Sequence, residues 1–340
     1  MSYQLFIKEM NDLMRVLAER SGYLINPIFL NASRENNYLL AFYFHGLFET
    51  VKHRDLNHID PQQNMTVNQF DDFVAYFLEH KYVFIRPEDL TNNIEKDNRY
   101  ILLTFDDGYF NNMLAVNVLE KYKVPAVFFI TIRNIIENRS FWWDVIYKYR
   151  RKQGISIEKI RREESMLKLL NYRSIDKYLT ENFGKDSQNP WSDIDRPFTE
   201  TEIRSLAANP YITFGNHTFN HTILNSVSRE EIKEEFDKSN KYLLDFTGKF
   251  PSSLAFPNGY YSEDALEVAQ ETGFRFAFTA EPRKNHLPVE SEKLIRLSRF
   301  MANPKNIRNY GSFFRLGYTP GTLYSSLKRF VDSFKCRRDS

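Results

Sequence analysis

The sequence predicts an α/β fold: a mostly parallel sheet, open or closed into a barrel, with a helical insertion between two of its strands. Three observations predict it. Apolar runs of strand length alternate with amphipathic segments of helix length along most of the chain. Unusual polar groups stand at the C-terminal ends of successive runs, where parallel α/β folds gather their active sites. One charged stretch, residues 137–200, breaks the rhythm with helical patterning of its own.

Residues 1–22 read as an amphipathic helix closing near Ser21-Gly22. Tyr38 to Phe44 is an apolar run ending at His45-Gly46, as a buried strand would. Thr66 opens a helix over 66–80 whose Phe70, Phe73, Val74 and Phe77 share one face, and Tyr82 to Ile85 is the next strand. Tyr100 to Phe105 stops at Asp106-Asp107-Gly108; a helix follows over about 109–122, then a strand from Ala126 to Thr131. The 137–200 insertion carries Arg161, Arg162, Glu163 and Glu164 on a solvated face and the aromatic run Phe141-Trp142-Trp143. Alternation then resumes with a strand at Ile212-Thr213-Phe214, a helix at 228–246 and a strand from Ser253 to Phe256. A helix at 262–272, a strand from Phe276 to Thr279 and a last strand from Leu294 to Phe300 complete the pattern. The expected organisation is an N-terminal helical extension (1–37), a barrel domain (38–303) and a basic amphipathic tail (304–340).

Bulk composition narrows the function classes. At 340 residues, 42% hydrophobic and 26% charged, the chain is ordinary for a globular protein and long enough to fold without disulfides. Its lone cysteine, Cys336, can form no intrachain bridge, which fits a reducing compartment. A net charge of +2 argues against a nucleic-acid partner. The charged N-terminus lacks the apolar core of a signal peptide, and no run is long enough to span a bilayer, so a cytoplasmic location is expected. In the tail, Tyr324, Leu327, Phe330, Val331 and Phe334 alternate with basic residues. That stripe either packs on the domain or makes peripheral membrane contact at the inner face.

The chemistry-bearing residues cluster by position. Asp106 and Asp107 end one strand; His217 follows Ile212 to Gly215, and His221 comes four residues later, a spacing that suits one helical face. His45 ends the first strand, and Pro257-Asn258-Gly259 ends Leu254 to Phe256. Two imidazoles and one carboxylate make a facial metal site with open positions. A second carboxylate beside the ligand suits the role of general base. An Fe(II) oxygenase uses the same triad, but on double-stranded β folds that the βα alternation here does not match.

Together these residues resemble the polysaccharide deacetylases, the carbohydrate esterase family 4 or NodB-homology group, from about residue 39 to 301. The first motif stands as Thr104-Phe105-Asp106-Asp107-Gly108, the second as His217-Thr218-Phe219-Asn220-His221. The resemblance implies a distorted (β/α) barrel of the NodB type. It makes Asp106 the base and Asp107, His217 and His221 the ligands of a divalent metal, zinc first, with Co2+, Ni2+ or Mn2+ as alternatives. Ala255 stands where the family's third motif often has an arginine that tethers the base. The stretch from Leu254 to Tyr260 is similar to a branch reading FAYPYG, whose Pro-x-Gly turn presents a backbone N–H to the oxyanion. Tyr109, Asn258, Gly259 and Tyr260 are therefore candidates to touch substrate or oxyanion. The family's late histidine is missing: residues 294–300 read LIRLSRF, similar to an LPR-type strand of that branch. Two histidines remain as candidate general acids, His45 at the first strand and His286 in a loop before the last. The implied activity is hydrolysis of an N-acetyl group from an N-acetylated sugar, whether sugar nucleotide, lipid-linked oligosaccharide or surface-polysaccharide precursor. N-deformylation, or glycan binding without catalysis, are the alternatives.

Overall fold

The computed structural model describes residues 37–91, 94–95, 97–168, 170–289, 293–302 and 307–316. The helix expected over 1–22, Cys336 and the expected basic stripe at 324–338 lie outside these residues.

Strand β1 (Tyr38–Phe44) starts the sheet, followed by the short helix α1 (Val51–Arg54) and by α2 (Val67–Glu79). Thr66 caps α2 in a reciprocal capping box with Gln69, so the helix begins where its first backbone donors find side-chain acceptors. Strands β2 (Tyr82–Phe84) and β3 (Arg99–Phe105) come next, then α3 (Met113–Tyr122) and β4 (Ala126–Ile130). Helices α4 (Ile132–Glu137), α5 (Trp142–Lys152), α6 (Ile157–Leu167), α7 (Tyr172–Phe183) and α8 (Glu200–Leu206) follow. The chain then returns through β5 (Ile212–Asn216), α9 (Arg229–Thr247), β6 (Ser253–Ala255), α10 (Glu263–Thr272) and β7 (Phe276–Phe278). It ends with β8 (Asn285–His286), β9 (Ile295–Leu297), β10 (Phe300–Met301) and α11 (Ile307–Leu316).

The sheet runs β10-β1-β3-β4-β5-β6-β7-β9, with β2 beside β3 and β8 beside β1. Every pairing is parallel except β1 with β8. The two ends of this order, β9 and β10, are separated only by Ser298 and Arg299. One short stretch of chain therefore pairs with β7 through its first half and with β1 through its second, which nearly closes the sheet into a barrel. The expected single strand at 294–300 is thus broken in the middle.

Strand interiors are apolar on both faces because helices cover the outside and side chains fill the inside. Phe42, Phe44 and Phe105 pack outward against Phe70, Phe73 and Phe77 of α2, and Leu39, Leu102, Val127, Phe129 and Phe278 fill the barrel. Gly215 on β5 is required by close approach: a Cβ there would stand 2.4 Å from the Phe129 ring. The insertion builds a satellite core of its own from Val145, Ile146, Ile160, Ile175 and Leu179. Helix α11, within the stretch read as a C-terminal tail, packs on the barrel: the Phe314 ring lies 5.1 Å from Phe42. No helix among the described residues is long and apolar enough to cross a membrane.

Candidate metal and active site

Strand ends β1, β3, β5 and β6 converge on one cavity of about 280 Å³ at the C-terminal face of the sheet. His45, Asp106, Asp107, His217 and His221 all line it.

Asp107 occupies a left-handed backbone position, φ 75°, immediately after β3. A non-glycine residue there is strained, and such strain concentrates where a side chain must be aimed. Its Oδ1 lies 3.3 Å from Nε2 of His217 and 3.3 Å from Nε2 of His221. Nδ1 of His217 is 2.8 Å from the carbonyl of Ala255. A neutral His217 donating there turns a lone pair, not a proton, toward Asp107. Donor atoms of Asp107, His217 and His221 all lie within 4.8 Å of one another, and Oδ2 of Asp107 is buried with no hydrogen-bond partner. Ligands at about 2.0–2.1 Å from a tetrahedral cation stand roughly 3.3–3.4 Å apart, so this constellation fits a divalent ion. Burial opposes ionisation of Asp107, but the two imidazoles and the nearby His45 outweigh it and hold the carboxyl well below the usual range. Burial pushes His221 down, toward the neutral form a ligand needs. At His217 the same burial is outweighed by Asp107 and Asp106, which hold it up, so a cation bound there must displace its proton.

The histidine pair does not share a helical face. His217 follows the end of β5, and a loop with left-handed positions at Thr218 (φ 64°) and His221 (φ 58°) folds back to present the second ring. Glu235 of α9 holds that loop: its Oε2 accepts from the Phe219 and Asn220 backbones at 2.9 and 2.8 Å, and its Oε1 from the Asn220 amide at 2.6 Å.

Asp106 stands beside the triad without joining it. Its two oxygens accept a forked pair from buried Arg299, at 2.7 Å from Nη1 and 2.9 Å from Nη2. Arg299 also donates to Thr104 Oγ1 and the Thr279 carbonyl, so its plane is fixed. The tether absent at Ala255 is therefore supplied from the barrel-closing segment. Sequence reasoning missed Arg299; the available signal was a charged residue inside an apolar final strand.

His45 reaches the centre from β1, its Nε2 4.0 Å from Oδ2 of Asp107. Gln63 Oε1 accepts from the His45 backbone at 2.8 Å and lies 3.3 Å from Nδ1, which leaves Nε2 facing the cavity. His286 pairs with Tyr38 at the opposite end of β1, roughly 20 Å away along the strand, and takes no part.

The remaining candidates divide. Asn258 and Gly259 line the cavity. The Gly259 N–H, however, donates to the Phe256 carbonyl at 2.8 Å and the Tyr260 N–H to that of Pro257 at 3.2 Å, so these two close the turn and are not free for an oxyanion. Tyr260 is half-exposed and outside the cavity wall. Tyr109 is buried away from the cavity: its hydroxyl donates to Asp144 Oδ2 at 2.6 Å and accepts from Trp143 Nε1 at 2.8 Å. Trp143 in turn packs on the His221 ring at 4.7 Å. The insertion thereby buttresses a predicted ligand.

A barrel of parallel strands with a two-histidine, one-carboxylate centre and an adjacent tethered carboxylate defines a class of carbohydrate-active deacetylases. The polysaccharide deacetylase family profile matches residues 93–277, more than half the chain, and the chain belongs to that family. It is 22% identical over 219 residues to YxkH of Bacillus subtilis (strain 168), provisionally described as a polysaccharide deacetylase. That match covers 63% of this chain and 58% of the relative, so the chain spans less than two thirds of its length. The fold is shared with a deacetylase of Streptococcus pyogenes, PplD, solved in complex with acetate: TM-score 0.52, 17% identity, 79% of this chain and 93% of that one. IcaB from Ammonifex degensii superposes with TM-score 0.55 and 15% identity over 82% of this chain and 97% of its own. A de-N-acetylase from Aggregatibacter actinomycetemcomitans gives 0.56 and 13% over 80% and 99%.

Proposed function

We propose that the chain hydrolyses the N-acetyl group of an N-acetylated sugar, releasing acetate and a free amine, with a divalent cation held by Asp107, His217 and His221. The observation that carries this reading is one cavity holding both the three-donor centre and a spare carboxylate, Asp106, fixed by Arg299. When bound, the cation, zinc by its nitrogen and oxygen donor set, supplies Lewis acidity toward water and the amide oxygen.

The rest is done by the chain. Asp106 takes the proton of the attacking water on a carboxylate oxygen; the Arg299 fork keeps that oxygen aimed and restores its charge balance. His45, oriented by Gln63, carries a proton on Nε2 to the departing amine. Asn258, on the turn after β6, borders the position of the acyl group. The apolar wall of Trp142, Trp143 and Phe256 excludes bulk water and offers flat faces to a sugar ring. A sugar nucleotide, a lipid-linked oligosaccharide or a surface-polysaccharide precursor all present this group.

The test is acetate release from a panel of N-acetylated sugars, with metal content measured alongside. Asp106→Asn is expected to keep its metal and lose roughly 10²–10⁴-fold in kcat. Retained metal with near-parental turnover in that variant would falsify the assignment of the base.

A further inference from the structure

We propose that Glu164, carried by insertion helix α6, is a substrate-binding residue whose Oε1 accepts a hydrogen bond from a hydroxyl group of the sugar in the catalytic cavity. The identity of that sugar as N-acylated rests on the deacetylase reading; the role of Glu164 rests on geometry.

Glu164 is 4% exposed and lines the same cavity as Asp107, His217 and His221. Its Oε2 accepts from Arg161 Nη1 at 3.0 Å, but its Oε1 is buried with no partner. Arg161 cannot turn to satisfy it, because both of its terminal nitrogens are committed to Asp60, one of them at 2.7 Å. An acceptor stripped of water and left unpaired is costly, and chains rarely retain one without a ligand to complete it. The reaction needs no third carboxylate for proton transfer or for the cation, so hydrolysis does not explain Glu164. Burial and the charge of Asp60 push its carboxyl up to about 7 despite Arg161 and Lys168. Such a group meets a neutral donor without a large desolvation cost, which suits a sugar hydroxyl. Glu164 also belongs to the insertion rather than to a barrel strand, so it reads a part of the sugar that the strand-end residues do not.

The experiment uses the zinc-loaded Asp106→Asn protein, in which bound sugar persists, and ligand-observed NMR titration. The probes are N-acetylglucosamine, N-acetylgalactosamine, their singly deoxygenated forms, and glucosamine. Adding Glu164→Ala is expected to weaken the preferred N-acetyl sugar on the order of tenfold, and Glu164→Gln less. One deoxy form should lose the same factor against intact Glu164 and nothing further against Glu164→Ala. Thermal unfolding checks that both variants fold; Glu164→Gln keeps side-chain volume if alanine does not. The proposal is overturned if both substitutions leave affinity unchanged, if every deoxy form stays as sensitive to them as its parent, or if neither N-acetyl sugar binds. Glucosamine binding more tightly in a Glu164-dependent way also overturns it, because the partner is then an ammonium group. The expected binding pattern without acetate release from the Asp106 enzyme sinks the hydrolase reading and leaves the Glu164 assignment standing.

Discussion

Between His217 and His221 the chain turns through left-handed positions at Thr218 and His221, and a β-branched residue such as Thr218 tolerates that region poorly. The turn persists because its donors are spoken for. Asn216 Oδ1 accepts from the Thr218 backbone at 2.7 Å, and Glu235 takes both following backbone N–H groups and the Asn220 amide. Replacing Glu235 with alanine leaves those donors without acceptors and lets His221 swing. Cation affinity is expected to fall about 10–100-fold, as when other partners that orient ligands are lost, while Glu235→Gln falls less. Competition against a zinc chelator measures it, and unchanged affinity in Glu235→Ala would show that the loop holds its shape alone. At this scale the sequence is only partly legible. Asp106, Asp107, His217, His221 and His45 can be read because each follows an apolar run at a strand end. Glu235 cannot, since a glutamate on a charged helix looks like a solvated residue until the fold buries it, and Arg299 leaves only the weak signal of a charge inside an apolar final strand.

Elements are read more easily than residues, because burial of one face imposes a period while orientation of a side chain does not. The capping boxes at Thr66, Thr199 and Ser228 mark helix starts with local chemistry. Where tertiary demands intrude, the pattern is bent rather than lost: the helix expected from about Tyr109 opens as a 3-10 turn over Phe110–Asn112 and becomes α-helical at Met113, with Tyr109 itself extended and bonded to Asp144. Helix α6 shows the same tension. Its Arg161 and Glu164, read as a solvated face, turn toward the cavity, and the buried Glu164 carboxyl is pushed up to about 7 from an ordinary 4.5. A carboxyl raised on folding binds its proton more tightly in the native state. Its favourable contribution is therefore complete below about pH 4.5 and is lost as pH rises through about 7. Glu164→Gln escapes that loss. Denaturant unfolding should find the variant and parent alike near pH 4.5, and the variant more stable by as much as about 3 kcal/mol above pH 7. A difference that does not change with pH would mean that the native carboxyl is not strained by burial. Stability given up at a cavity wall is the usual signature of a group kept for binding.

Taken whole, the barrel closes at the place where its chemistry is tethered. Residues 295–301 join both edges of the sheet, and the break between β9 and β10 leaves Arg299 pointing inward to Asp106. Residues 295–297 pair only with β7 and residues 300–301 only with β1, an interruption within 294–300 that apolar periodicity alone does not encode. Asn285 on β8 fastens the break: its Nδ2 donates to the Ser298 carbonyl at 2.9 Å and its Oδ1 accepts from the Ser298 N–H at 2.7 Å. Closure and catalysis are thereby coupled through neighbouring residues. Asn285→Ala is expected to cost about 1–3 kcal/mol for the unmet backbone groups and to lower kcat with little change in KM, because Arg299 loses its fixed plane. Arg299→Lys retains the charge but not the fork, and should depress kcat more strongly, by up to about 100-fold, since small misplacements of a catalytic group are that costly. Hydrogen exchange across 295–301, measured beside acetate release, ties the two effects together. If Asn285→Ala loosens this segment yet leaves kcat intact, the tether on Asp106 does not depend on barrel closure, and Arg299 must be held from Thr104 and Thr279 alone.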